Sequence, residues 1–143
     1  MSDSAPLRGG EQPKIDDRLP VLERTPTRLT LFLFGVAYWT SHKIHYDVEA
    51  ARAEGFDDVL VTANLLSAYN VELLSHWTGN PQCVLELAER NISPAIAGEM
   101  LTITGRVVDL EPAGDRTTAR CSLLISHRDG STVLEGSALV ALP

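Results

Sequence analysis

The sequence predicts an α+β domain, an antiparallel sheet with one apolar face covered by a single long helix. Three observations point there. The hydrophobic period changes from 3.6 to 2 near residue 83, with helical spacing before it and strict alternation after. The apolar stretch before the change, Val59 to Trp77, is closed by Gly79 and Pro81 and is long enough for a central helix. The alternating segments after it are separated by short turn sequences, which join strands antiparallel. At 143 residues the chain holds one domain with one core.

Residues 1–19 are rich in Ser, Gly, Pro and charge, lack periodicity, and read as a flexible N-terminal arm; the domain occupies 20–143. Residues 20–26 read as a short edge strand. Thr27 is a helix N-cap, and Leu29 to Trp39 follows as a buried apolar helix. Thr40 to Tyr46 is a polar, aromatic loop. Asp47 caps a short helix, Val48 to Glu54, which Gly55 ends. From Asn64 to Trp77, Leu66, Tyr69, Leu73 and Trp77 share one helical face, widened by Leu65 and Leu74, with Glu72 and His76 on the wetter side.

The strands come next. Cys83, Leu85 and Leu87 alternate with Val84, Glu86 and Ala88. Leu101, Ile103, Gly105 and Val107 alternate with Thr102, Thr104, Arg106 and Val108. Ala119, Cys121, Leu123 and Ile125 alternate with polar neighbours, and the last strand spans about Thr132 to Leu142. The turns are Ser93-Pro94, Glu111 to Asp115, and Asp129-Gly130, so the final three strands form a meander. A curved antiparallel sheet wrapped around one long helix is the hot-dog architecture. Its edge strands call for closure by a second such unit, in a homodimer or a heterodimer.

Composition excludes several function classes. The net charge is −7 with no basic run, which sets aside nucleic acid and anionic membrane surfaces. Leu29 to Ser41 is too short to span a bilayer, and no signal-peptide pattern opens the chain, so the cytoplasm is the expected compartment. Cys83 and Cys121 lie within apolar alternation and read as core residues. His42, His45 and Asp47 share one loop, but no further ligand cluster follows, so no metal is expected; no motif calls for a cofactor. His76 and His127 read as surface or edge residues. Tyr38, Trp39 and Tyr46 read as aromatic core.

The block His42-Lys43-Ile44-His45-Tyr46-Asp47, ahead of a buried helix, resembles the MaoC-like acyl-CoA hydratases and dehydratases over roughly residues 20–142. It is close to the wording of the dehydratases related to mitochondrial fatty-acid synthesis. Val59 to Leu66, with Trp77-Thr78-Gly79, resembles the small MaoC-like subunits of two-component steroid side-chain hydratases, which work with a second chain. The resemblance implies addition or removal of water across a 2-enoyl thioester of coenzyme A or acyl carrier protein. It also makes Tyr38, Trp39 and Tyr46 candidate walls of an acyl tunnel beside their reading as core, and Arg90, Arg106 and Arg120 equal candidates for coenzyme A phosphates. His45 matches the family's catalytic His, and Thr40 stands where its Asp would be.

An imidazole exchanges a proton near neutrality. A threonine hydroxyl cannot act as the base, but it can hold a water or substrate oxygen. Backbone N–H groups of Asn64 and Leu65, at the start of the long helix, are candidates for stabilising the thioester oxygen; the Asn64 side chain is also a candidate helix cap. His42 and Tyr46 complete the candidate substrate contacts. Two alternatives stand beside an active hydratase: a non-catalytic partner subunit, suggested by Thr40, and a hot-dog thioesterase using a carboxylate such as Glu72.

Overall fold

A computed structural model describes residues 6–7 and 12–143. The other residues of the N-terminal arm lie outside the described part. The elements are β1 (Leu22–Arg24), α1 (Arg28–Ala37), a 3-10 turn (Lys43–His45), α2 (Val48–Ala53), α3 (Ala63–Thr78), β2 (Val84–Asn91), β3 (Leu101–Ala113), β4 (Arg116–Ser126) and β5 (Thr132–Ala141). The strands form one antiparallel sheet in the order β1-β3-β4-β5-β2.

Helix α3 lies on the apolar face of this sheet. Leu65, Leu66, Tyr69, Leu73, Leu74 and Trp77 are buried against Leu101, Ile103, Val107, Cys121, Ile125, Val133 and Val140. Both cysteines are free and buried in the core. Burial drives the Cys121 thiol pKa up to about 12, with neighbouring Cys83 adding to the shift.

Several boundaries differ from the sequence reading, each for a physical reason. The end of the expected arm is tied down. Asp16 and Leu19 donate N–H bonds to the Val107 and Gly105 carbonyls, and Val107 N–H returns one to Asp17. Leu19 is buried over Gly105, where a Cβ would come within 2.9 Å of its side chain. Strands β3 and β4 run further than alternation suggests, because a bulge between Val107 and Asp109 breaks the pattern while pairing continues to Ala113–Arg116. A second irregularity between Val84 and Glu86 turns Leu85 outward, 55% exposed, although alternation would put it inside.

Helix α1 is the largest departure. Its bounds agree closely with expectation, and Thr27 caps it, but only Leu31 is buried. Leu29, Phe32, Leu33 and Val36 are more than half exposed, and beyond its end Tyr38 and Trp39 are 57% and 89% exposed. The aromatic residues expected in a core are therefore on the surface of the single chain.

Candidate functional site

His45 closes the 3-10 turn. Ile44 before it is buried in a small cluster with Ala51 of α2 and Leu60, with Phe56 packed alongside. That anchor presents the next side chain to the extended segment 59–61. Leu60 N–H donates to the Ile44 carbonyl at 2.9 Å, and His45 Nδ1 lies 2.9 Å from the Leu60 carbonyl oxygen. A carbonyl only accepts, so Nδ1 carries the hydrogen and Nε2 of the neutral ring keeps its lone pair. The ring is half-buried.

Segment 59–61 is itself held from the far side. Leu60 bridges Ile96, Val61 N–H donates to the Ala95 carbonyl at 2.8 Å, and Ala97 N–H donates to the Val59 carbonyl at 2.9 Å. It runs directly into α3. Thr62, not Asn64, is the N-cap: its Oγ1 accepts from Leu65 N–H at 3.2 Å. The Leu65 N–H is therefore committed to the cap and is not free for a thioester oxygen. Ala63 and Asn64 occupy the first helical positions, whose N–H groups have no carbonyl partner within the helix. Both residues are exposed.

Thr40 sits just past the end of α1. Its N–H donates to the Gly35 carbonyl at 2.8 Å, and Trp39 N–H reaches Val36 at 3.4 Å. This is a Schellman ending, with Trp39 at φ 55° in the left-handed position that usually takes glycine. Thr40 and Tyr46 are brought together in an apolar cleft of about 280 Å³, with Phe32, Val36 and Trp39 among its walls. Tyr46 O–H donates to the Ser41 carbonyl at 3.2 Å. His45 is not among the walls of this cleft. His42 turns outward, 3.5 Å from Glu54, with its ring edge-on to His45 at 5.9 Å.

A model of the hydroxyacyl-thioester dehydratase type 2 family matches residues 4–97. The chain belongs to that family. Solved structures of MaoC-like proteins share its fold. The (R)-hydratase from A. caviae involved in PHA biosynthesis is 19% identical, with a TM-score of 0.84 over 94% of this chain and 100% of that one. A chain of the ChsH1–ChsH2 complex from Mycobacterium tuberculosis is 15% identical, with a TM-score of 0.83 over 92% and 100%. The MaoC-like dehydratase from Rhodospirillum rubrum is 18% identical, with a TM-score of 0.75 over 90% and 92%. No curated protein matches the chain by sequence. The hot-dog fold read from the element order is thus the fold of this type 2 dehydratase family member.

Other candidates are already committed. Glu72, considered for thioesterase chemistry, is half-buried in an ion pair with Arg24 of β1. Arg90, Arg106 and Arg120 each face a carboxylate: Glu135, Asp16 and Glu86 respectively. Among the described residues, no group of three or more His, Cys, Asp or Glu stands together for a metal, and no helix is long and apolar enough to cross a membrane.

Sequence reasoning missed one polar cluster. His127, read as a surface or edge residue, has a side chain only 16% exposed and bridges Glu99 and Ser93. Its sequence signal is weak, because Ser93 and Glu99 lie on the β2–β3 connection and His127 lies far along the chain, at the β4–β5 hairpin.

Proposed function

We propose that this chain is a subunit of an (R)-specific 2-enoyl-thioester hydratase, working in either direction as a 3-hydroxyacyl-thioester dehydratase, with His45 as the proton-transfer group. The observation that carries the proposal is the Nδ1–H bond to the Leu60 carbonyl, which leaves Nε2 as the basic nitrogen. In hydration Nε2 takes a proton from water as the water oxygen bonds to Cβ. The imidazolium then returns a proton to Cα as the enolate collapses. The Thr40 hydroxyl, on the wall of the cleft beside Tyr46, is assigned to hold the oxygen, which requires the substrate to lie between that cleft and His45. The N–H groups of Ala63 and Asn64, at the positive end of α3, are assigned to the thioester oxygen. The substrate is an acyl-CoA or acyl-carrier-protein thioester, no cofactor takes part, and the compartment is the cytoplasm.

A second hot-dog chain is the proposed partner. Two features support it: β2 ends the sheet order, and α1 exposes a contiguous apolar face. Hydration of short, medium and ring-bearing 2-enoyl-CoAs by wild-type and His45→Ala protein tests the assignment. A loss of roughly 10²–10⁴ in rate is expected, and unchanged activity would overturn the role of His45.

Thr40 favours a second reading, in which this chain is the non-catalytic half of a two-chain hydratase. A silent wild type that gains activity as Thr40→Asp would support a competent cleft lacking only its carboxylate. A silent wild type that becomes active only with a second MaoC-like chain would place the chemistry in the partner.

A further inference from the structure

His127 lies at the start of the β4–β5 hairpin, away from the candidate site, yet it is the hub of a half-buried polar cluster. Its Nδ1 faces the Glu99 carboxylate in an ion pair, and its Nε2 lies 2.9 Å from Ser93 Oγ. Serine, histidine and glutamate in line have the composition of a nucleophilic triad. The hydrogen positions argue otherwise. Ser93 Oγ is 2.6 Å from the Thr132 carbonyl, so its one hydroxyl hydrogen is committed there. Oγ therefore accepts from Nε2–H instead of giving the ring its proton. This arrangement is a clamp.

The clamp fastens the connection 92–99 to the hairpin. Glu99 Oε2 also accepts from Ile96 N–H at 3.3 Å, and Ile92 and Ser93 N–H groups both reach the Val133 carbonyl. The clamped connection is the same one that pairs with 59–61 through Ala95, Ile96 and Ala97. Segment 59–61 carries the Leu60 carbonyl that sets the His45 tautomer, and it leads into the first turn of α3. A continuous run of bonds thus joins His127 to His45 through two backbone segments.

We infer that His127 is a positioning residue, which through Glu99 and Ser93 fixes the Leu60 carbonyl and so holds His45 with Nδ1 protonated and Nε2 free. Its importance for turnover rests on the proposed role of His45; its effect on the His45 ring does not.

The test is the ¹⁵N signature of the His45 ring at pH 8 in wild type, His127→Ala and Glu99→Gln, beside thermal unfolding of each. Glu99→Gln keeps the shape and removes the charge, so it reports if His127→Ala does not fold. In wild type, Nδ1 is expected protonated and Nε2 bare. In the folded variants the ring should move towards a mixture of tautomers. If hydratase activity is present, kcat should fall roughly 10–100-fold with KM within about twofold, the scale of a small misplacement. His127→Gln, which retains one donor to Ser93 or Glu99, should recover part of the signature. An unchanged His45 ring in a folded Glu99→Gln protein would overturn the inference. A shifted ring in a chain whose wild type hydrates nothing would uphold it and remove the proposed function instead.

Discussion

Helices α1 and α3 begin alike. Each is capped by a threonine whose hydroxyl accepts the N–H three residues on, and each ends in a residue of left-handed backbone. Their surroundings differ. α3 meets the sheet and buries both leucine pairs, Tyr69 and Trp77, whereas α1 buries Leu31 alone. Their endings differ too. α3 closes on Gly79 at φ 68°, where glycine costs nothing, and α1 closes through Trp39 at φ 55°, where a bulky side chain is strained. Apolar content alone does not decide burial; an apolar helix is covered only if an element of the same chain reaches it. A helix apolar on most sides and uncovered in one chain is suited to a second one.

The largest expected contrast between the helices is in stability. Leu74→Ala in α3, fully buried, should cost about 2–5 kcal/mol. Leu33→Ala in α1, 58% exposed, should stay within about 0.5 kcal/mol in the isolated chain. Urea unfolding of both variants at low protein concentration measures this. Equal losses would erase the difference. A Leu33→Ala cost that appears only at high concentration would mean that a second copy covers α1.

The core under α3 carries a pH dependence that the exposed helix lacks. Cys121 is pushed from 9.0 up to about 12 by burial, so the folded state keeps its thiol protonated where the unfolded chain ionises. Stability from this group is complete below pH 9 and declines as pH rises from about 9 to 12, by up to about 1.4 kcal/mol per unit. Cys121→Ser or Cys121→Ala should flatten that alkaline limb in chemical unfolding at pH 8 and 10. The same burial predicts slow labelling of native Cys121 by a thiol reagent and rapid labelling after unfolding.

Much of this was legible in the sequence. The caps at Thr27 and Asp47, the stop at Gly79, the α3 core face and the final meander all follow from local chemistry, which short-range pattern records. What the pattern could not record was nonlocal. The bulges after Val107 and Val84 shift the phase of alternation, so the pattern ends before β3 does and points Leu85 to the wrong face. Thr62 rather than Asn64 caps α3 because the chain enters through a bridge to residues 95–97, and that pairing has no sequence signature. His45 stands out by its block, but the bond that orients its ring comes from the Leu60 carbonyl, fifteen residues on. The Ser93–Glu99–His127 cluster was invisible for the same reason.

The two helix endings can be exchanged. Trp39→Gly should raise the stability of the isolated chain by about 1 kcal/mol, because glycine relieves the left-handed strain. Gly79→Ala should lower it by a similar amount, although no atom lies within 4 Å of the added Cβ. If α1 is the partner face, Trp39→Gly should also weaken assembly with a second hot-dog chain, as removal of an exposed aromatic anchor does. A variant that is more stable and assembles normally would separate Trp39 from any interface.

The smallest expected effect sharpens how α1 is attached. Its first residue, Arg28, is a cation at the positive end of a helix, and no acid lies in its first turn. Asp58 supplies the missing charge from outside, with Oδ1 2.9 Å from Arg28 Nε, and Arg28 holds the Asp58 carboxyl below its ordinary 3.8. Because the folded value is the lower one, the stability from this pair is present above that ordinary value and is lost as pH falls below it. Asp58 also accepts from Val59 N–H at 2.8 Å, at the start of the segment that holds His45. Arg28→Gln should therefore flatten the acid limb slightly and leave the neutral plateau almost unchanged, since Arg28 is well exposed. Salt should mask the difference for the same reason. Among the described residues α3 has no such pair at its start, so the mutation at α1 tests how much a surface charge adds to Leu31 in fixing a helix that the core holds mainly by one side chain.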